Sequence, residues 1–298
     1  MKPYKLLLLT YSKSESLAAS TNSNRMMGHL LADEFARLPN VELTYRASHE
    51  CRDSDLDNAD AVLAHTYLGD DMLGRLMEYR KTNNLFFAYC ESLPYAGADV
   101  SFTWVPWPDV VSKRYTLRFP CSKEVLKKYT VPKTRKSILL DHAWQPRLGT
   151  ESEWTNRLID WVEPLKDECK IAKLVSSTEK DFVYPDWLET IKPTTYFDFL
   201  DKTRQFETFI ITHMGSYNHS IVDMAGRGMR LLAPHGFTHD DVVDSLGINL
   251  FGGIDSLMAE LDKPIGEGVS RQIDKMTDAG DLVAKMNAIF MGALSGNQ

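Results

Sequence analysis

The alternation of short, continuous apolar runs with amphipathic helical stretches constrains this chain more than any other feature. Leu6 to Leu9, Ala61 to His65 and Leu85 to Cys90 are apolar at successive positions and too brief for ordinary helices, so they are expected as strands covered on both faces. The segment SNRMMGHLLADEFARL carries Met26, Met27, Leu30, Leu31, Phe35 and Leu38 at helical spacing, with Ser23 as its cap. Val41 to Ser48 makes a further strand and Asp70 to Lys81 a further helix. Strands that alternate with helices in this way build βαβ units and a mostly parallel sheet.

Tyr115 to Trp144 continues the pattern with a strand (TLRFPCS), a helix capped by Ser122 and a second strand (SILLDHAW). Gln145 to Glu153 is polar and contains Pro and Gly, the composition expected of a hinge. Beyond it the spacing predicts a helix over Trp154 to Leu165, a strand over Lys170 to Ser176 and a helix over Tyr196 to Arg204. A strand at Thr208 to Thr212, a helix at Ser220 to Arg227 and strands at Arg230 to Ala233 and Ile248 to Phe251 follow, and helices at Ile254 to Leu261 and about Val269 to Ala293 finish the chain. A chain of 298 residues can bury two modest cores. The expected organisation is two Rossmann-like α/β domains, residues 1–146 and 147–280, followed by a C-terminal helix over 281–298.

Charge narrows the partners. Acidic residues number 41 against 34 basic, a net of -7, which disfavours a protein whose affinity comes from neutralising phosphate backbones. Lys123, Lys127, Lys128, Lys133, Arg135 and Lys136 would reverse that only as one continuous face, and a solvated helix and turn is the simpler expectation for them. The four cysteines form no CxxC pair and are expected to be reduced, as in a cytoplasmic protein. Four consecutive leucines near the start are too few for a signal peptide or a membrane span, and no other stretch approaches a span. The GxSxG, Walker and GxGxxG patterns are absent from the sequence, so hydrolase, kinase and dinucleotide-oxidoreductase readings lack their usual support.

One segment carries the functional reading. In FETFIITHMGSYNHSIVDMAGRGMRLLAP a buried strand enters a small polar loop, then a helix, then Gly228 and a second apolar strand. The first backbone N–H groups of that helix, around Tyr217 to Ile221, have no partner within it and face the positive end of its dipole, so an anionic diphosphate is the expected guest. Gly215, Ser216, Tyr217, Asn218, His219 and Ser220 are the expected contacts, and Asp223, one turn in, is placed to accept hydrogen bonds from ribose hydroxyls.

This segment resembles the donor-binding motif of retaining GT-B glycosyltransferases, a strand followed by Glu-x7-Glu, small residues, Gly and a hydrophobic strand. Asp223 falls on the second Glu, Gly228 on the glycine, and Gly215 stands where the first Glu should be, so the motif is degenerate. The stretch RYTLRFPCSKEVLKKYTVPKTRKSILLDHAW looks like the end of a GT-B N-terminal domain. The resemblance implies a GT-B fold with the nucleotide site in the C-terminal domain, a cleft between the domains, and a C-terminal helix, Asp281 to Leu294, crossing back to the first. It also implies a glycosyltransferase that uses a nucleotide-sugar donor as substrate without a further cofactor. A catalytically silent scaffold of the same fold, or a nucleotide-sugar epimerase, is the alternative.

Ligands of open α/β sheets sit beyond the carboxyl ends of the strands, which singles out further groups. His65 ends one strand and can serve as a general base or position an acceptor. Glu91 emerges from the apolar strand LFFAYC, where a charge needs a partner or a task; together these two are the candidate catalytic pair. Arg25 suits phosphate by its fork geometry, and Lys173 with Ser176, Ser177 and Lys180 could neutralise a diphosphate leaving group. Trp104 and Trp107 either line an acceptor cleft or plug the core. His235 and His239 are a weak metal pair on a loop, and no metal is expected. The acceptor stays open among glycan, lipid-linked sugar, protein and modified nucleic-acid base.

Overall fold

In the computed structural model the apolar runs become two parallel sheets, each in its own unit. The structure describes residues 3–13, 23–91, 94–104, 113–117, 120–142, 150–175, 179, 183–212, 219–236, 240–264 and 272–296. One unit comprises residues 1–120 and 277–298, the other residues 121–276.

The first unit contains β1 (Tyr4–Thr10), α1 (Ser23–Ala36), β2 (Val41–Ala47), α2 (Asp53–Asp57), β3 (Ala61–His65), α3 (Asp70–Thr82), β4 (Phe86–Glu91), β5 (Val100–Thr103) and β6 (Lys113–Thr116). Its sheet runs β2-β1-β3-β4-β5-β6, every neighbouring pair parallel. Leu6 to Leu9 are wholly buried because helices cover both faces of a parallel sheet, which is why the run shows no alternation. Helix α1 lies close over this sheet at Gly28. A Cβ there would stand 2.8 Å from the Tyr45 hydroxyl and 2.9 Å from Thr10 Cγ2, closer than real contacts allow.

The second unit contains α4 (Lys123–Lys128), β7 (Ser137–Leu140), α5 (Thr150–Val162), β8 (Lys170–Leu174), β9 (Glu189–Ile191), α6 (Tyr196–Thr203) and β10 (Thr208–Ile210). It continues with α7 (His219–Gly226), β11 (Arg230–Pro234), α8 (Asp240–Leu246), β12 (Asn249–Phe251), α9 (Ile254–Asp262) and α10 (Gln272–Lys275). Its sheet runs β12-β11-β10-β7-β8-β9, again all parallel. Counted within the unit this is the order 6-5-4-1-2-3 of the doubly wound nucleotide-binding sheet. The expected α/β class with two Rossmann-like halves is the fold the chain adopts.

Helix α11 (Ala279–Ser295) belongs to the first unit. Asp278 caps it by accepting from the Gly280 amide at 3.1 Å, so the single helix expected over Val269 to Ala293 is two, α10 and α11, with the cap between them. Phe290 is fully buried among the rings of Tyr4, Phe35, Phe86 and Phe102. Burying a ring of that size contributes about 2 kcal/mol. The Tyr4 hydroxyl donates to Asn287 at 2.9 Å, a polar tie between the same elements.

Three further expectations differ from the structure. The strand SILLDHAW is β7, hydrogen-bonded between β10 and β8 in the middle of the second sheet, whereas the sequence placed it before the hinge. The polar stretch after it connects β7 to α5 inside one unit; Pro and Gly punctuate a βα connection as readily as a hinge. The strand expected at TLRFPCS is β6, ending at Thr116, and the aromatic stretch before it holds β5, against which Trp104 is buried in the core. Trp107 lies outside the described residues.

Candidate functional site

The strand orders define two places where a ligand crevice is expected, because helices leave the sheet toward opposite faces where the order reverses. In the first unit the reversal lies between β1 and β3, where Thr10 pairs with His65. In the second it lies between β7 and β10, where Leu140 pairs with Ile210.

At the first reversal His65 is buried, 2% exposed, under the strand ends. Its Nδ1 is 3.2 Å from the Cys90 carbonyl, which can only accept, so the proton sits on that nitrogen. Glu91 ends β4 on the neighbouring strand and is half-buried. Between His65 and the exposed Tyr67 stands Thr66 with φ of 69°, a left-handed conformation that a β-branched side chain adopts at a cost on the order of 1–3 kcal/mol. Its amide donates to the Cys90 carbonyl at 3.0 Å, which holds the kink. The turn throws Tyr67 outward, and the Tyr67 hydroxyl donates to Asp70 at the start of α3.

At the second reversal β7 delivers Asp141 and His142, an acid and an imidazole leaving an apolar strand. The Asp141 carboxylate, fully buried, lies 2.9 Å from His142 Nδ1 and accepts from the His142 amide at 2.9 Å. A carboxylate on Nδ1 fixes the imidazole's orientation. The Asp141 carbonyl is clamped from both neighbouring strands. Lys173 of β8 donates to it at 2.6 Å and Thr212, just past β10, at 3.0 Å.

The sequence placed Lys173 against the diphosphate; the structure turns it inward. Its side chain is fully buried, and besides Asp141 it donates to the Leu174 carbonyl at 2.9 Å and Glu179 at 3.2 Å, under the Tyr184 ring. Burial pushes its pKa down while Glu179 and Asp141 oppose that shift. An ammonium has three protons, and all three are used.

Asp223 is also corrected. It lies on α7 with no exposed surface, so it presents nothing to a ribose, and its carboxyl group sits in the core with Arg227 and Tyr196. Burial raises its pKa to about 7 against the pull of Arg227 and Tyr196. Arg227, one turn on, is buried as well; it donates to the Leu200 carbonyl at 2.8 Å, the Thr203 hydroxyl at 3.0 Å and the Asp223 carbonyl at 3.2 Å. Its side chain stacks over Phe199. This cluster braces α6 against α7. Burial lowers the Arg227 pKa to about 10, which leaves it charged at neutral pH.

His219 and Ser220 open α7; His219 is buried and Ser220 half-buried. Gly215, Ser216, Tyr217, Asn218, Ser176, Ser177 and Lys180 lie outside the described residues, as does His239, and of the Arg25 side chain on α1 nothing is described. Among the described residues no group of three His, Cys, Asp or Glu could hold a metal ion, and no helix is long and apolar enough to cross a membrane. Of the cations in α4 and just after it, Lys123 pairs with the Asp274 carbonyl, Lys128 with Glu124, Lys133 with the Arg204 carbonyl and Lys136 with Glu168. The four cysteines are free thiols. Sequence reasoning missed Asp141 and His142, although an acid emerging from a continuous apolar strand is the same signal that marked Glu91.

No protein-family model matches the chain, and no curated protein matches its sequence. Solved structures do. A trehalose-6-phosphate synthase from Burkholderia multivorans superposes with a TM-score of 0.62 at 8% identity, over 100% of this chain and 98% of that one. A UDP-GlcNAc 2-epimerase from Neisseria meningitidis, bound to UDP-GlcNAc, gives 0.62 at 9% identity, over 96% and 99%. The spinosyn rhamnosyltransferase SpnG, complexed with thymidine diphosphate, gives 0.53 at 11% identity, over 95% and 100%. At such identities the likeness shows the fold, and that fold is of the GT-B type.

Proposed function

We propose that the chain is a glycosyltransferase that takes its sugar from a nucleotide-diphosphate donor held by the second unit. The observation that carries this reading is the reversal between β7 and β10, from which both His142 and the segment leading to α7 depart. A helix that starts at such a point offers unsatisfied N–H groups to a diphosphate, and a partly exposed imidazole fixed by Asp141 adds a cation or a proton where the leaving group gains charge. The similar solved structures include transferases and an epimerase that hold nucleotide diphosphates, which agrees with this use of the fold.

Calorimetric titration with UDP-, GDP-, ADP- and TDP-sugars and with CMP donors tests the reading. One of them should bind, and His142→Ala should weaken it by roughly tenfold, the loss of one charge-assisted contact. Binding by none would refute it. A catalytically silent module is the second reading, favoured by the burial of Asp223 and by Gly215 at the place of the motif's first acid. Such a module binds nucleotide without turnover, whereas a transferase releases the free nucleoside diphosphate and an epimerase converts the donor with no acceptor present.

A further inference from the structure

We propose that Lys173 and Thr212 are positioning residues of the nucleotide site, holding the main chain on both sides of His142 so that its imidazole is kept in one orientation and one tautomer. The assignment of His142 to that site rests on the transferase reading above; the fixing of its ring does not.

Three separate holds converge on His142. Its ring is held by the Asp141 carboxylate, 2.9 Å from Nδ1. The carbonyl before it, that of Asp141, accepts from Lys173 at 2.6 Å and from Thr212 at 3.0 Å, and the carbonyl of His142 itself lies 3.1 Å from the same Thr212 hydroxyl. Both donors come from the strands that flank β7. Lys173 stands opposite Leu140 on β8, and Thr212 follows Ile210, which stands opposite Leu140 on β10. The backbone ladder ends with the Asp141 amide on the Ile210 carbonyl at 2.9 Å, and from there side chains take its place. With the carbonyls on either side of His142 fixed, the two soft torsions that aim its side chain are fixed as well.

Stability alone does not account for a lysine here. Lys173, Asp141 and Thr212 have no exposed surface, and Glu179 is buried with them. An ion pair taken out of water is seldom a net gain over apolar packing of the same volume. A strand-end carbonyl is satisfied by a hydroxyl such as that of Thr212 or by water. The ammonium adds direction: its three protons go to the Asp141 carbonyl, to the Leu174 carbonyl at 2.9 Å and to Glu179 at 3.2 Å, so it cannot swing without breaking the other two bonds. Removing it frees the Asp141 peptide on one side, and the carboxylate that orients the imidazole turns with that peptide. A carboxylate only accepts, so while the ring is neutral its proton stays on Nδ1.

Ring-nitrogen NMR of the full chain, with the His142 signals assigned by their loss in His142→Ala, tests the proposal. The parent should show the Nδ1–H form whenever the ring is neutral. Thr212→Val, and Lys173→Met combined with Glu179→Gln so that no charge is left buried alone, should each draw the two ring-nitrogen shifts together, the mark of mixed tautomers; Thr212→Ser should keep the parent pattern. Titration with the nucleotide sugar that binds best should find each of the first two variants weakened by about three- to tenfold, the range of one hydrogen bond. In a His142→Ala background neither should weaken it further. Thr212→Val, which keeps the shape of the side chain, decides by itself if the combined variant does not fold. The proposal is overturned if His142 keeps the parent tautomer in these variants, or if their losses of affinity add to that of His142→Ala, which would make the network a structural one. Binding of no nucleotide defeats the donor reading alone, because the ring-nitrogen shifts still test the positioning; nucleotide binding with an unmoved tautomer defeats this inference alone.

Discussion

Replacing Asp223 by Asn removes a carboxyl group that the fold holds in its neutral form over much of the ordinary pH range. In the unfolded chain its pKa is near 3.8, and in the fold burial raises it to about 7 against Arg227 and Tyr196. Between those values the unfolded chain has released the proton and the native chain has kept it, so the native state binds more protons and stability falls as pH rises. The full span corresponds to about 4 kcal/mol, an upper bound because relaxation around the Asp223 and Arg227 pair shares the cost. Below pH 4 the protonated acid and the amide are near isosteres, and the two proteins should unfold alike. Above pH 7 the variant should be the more stable by up to that amount. Urea unfolding followed by tryptophan fluorescence at pH 4, 5.5, 7 and 8 reads the difference. A stability gap independent of pH, or one that favours the parent as pH rises, would refute the placement of Asp223 as a desolvated acid.

Other substitutions test separate parts of the fold. Lys173→Met leaves Glu179 as a buried charge without its ammonium and should cost about 3–5 kcal/mol, whereas Lys173→Met with Glu179→Gln should recover most of it; chemical denaturation of the pair decides. Phe290→Ala empties the space between four rings and should cost about 3–5 kcal/mol, seen as a lower thermal midpoint. At Gly28 an alanine methyl would push into the Tyr45 hydroxyl and Thr10, so Gly28→Ala should destabilise by about 1–3 kcal/mol despite the better helix propensity, and an unchanged or raised midpoint would contradict the close approach of α1 to β1.

The strands and helices most legible in the sequence are those with a continuous or periodic apolar signal. β1, β3 and β4 carry uninterrupted apolar runs because helices cover both faces, and α1 shows a full helical stripe. β5, β6 and β9 were not legible, since edge and near-edge strands of three or four residues mix polar groups with apolar ones, and α2 and α10 are too short to show a period. Among the candidate residues, position relative to a strand end could be read but not direction. Lys173 and Asp223 lie where the pattern places them, yet both point into the core, each tied to a residue far away in sequence or one turn along: Lys173 to Asp141, Asp223 to Arg227 and Tyr196. Nothing local in KIAKL or in SIVDMAG distinguishes an inward charge from an outward one; the distinction lies in partners that only the fold assembles.

The two reversals of strand order share a topology and differ in chemistry, and the difference arises within two residues of the strand ends. At β3 the chain buries His65, bends at Thr66 and exposes Tyr67. At β7 it buries Asp141 and leaves the His142 side chain 27% exposed, while Lys173 and Glu179 cancel one another beneath. A parallel sheet can place a ligand only at such ends, but it leaves the ligand's charge to be chosen by whichever of two or three successive side chains faces out.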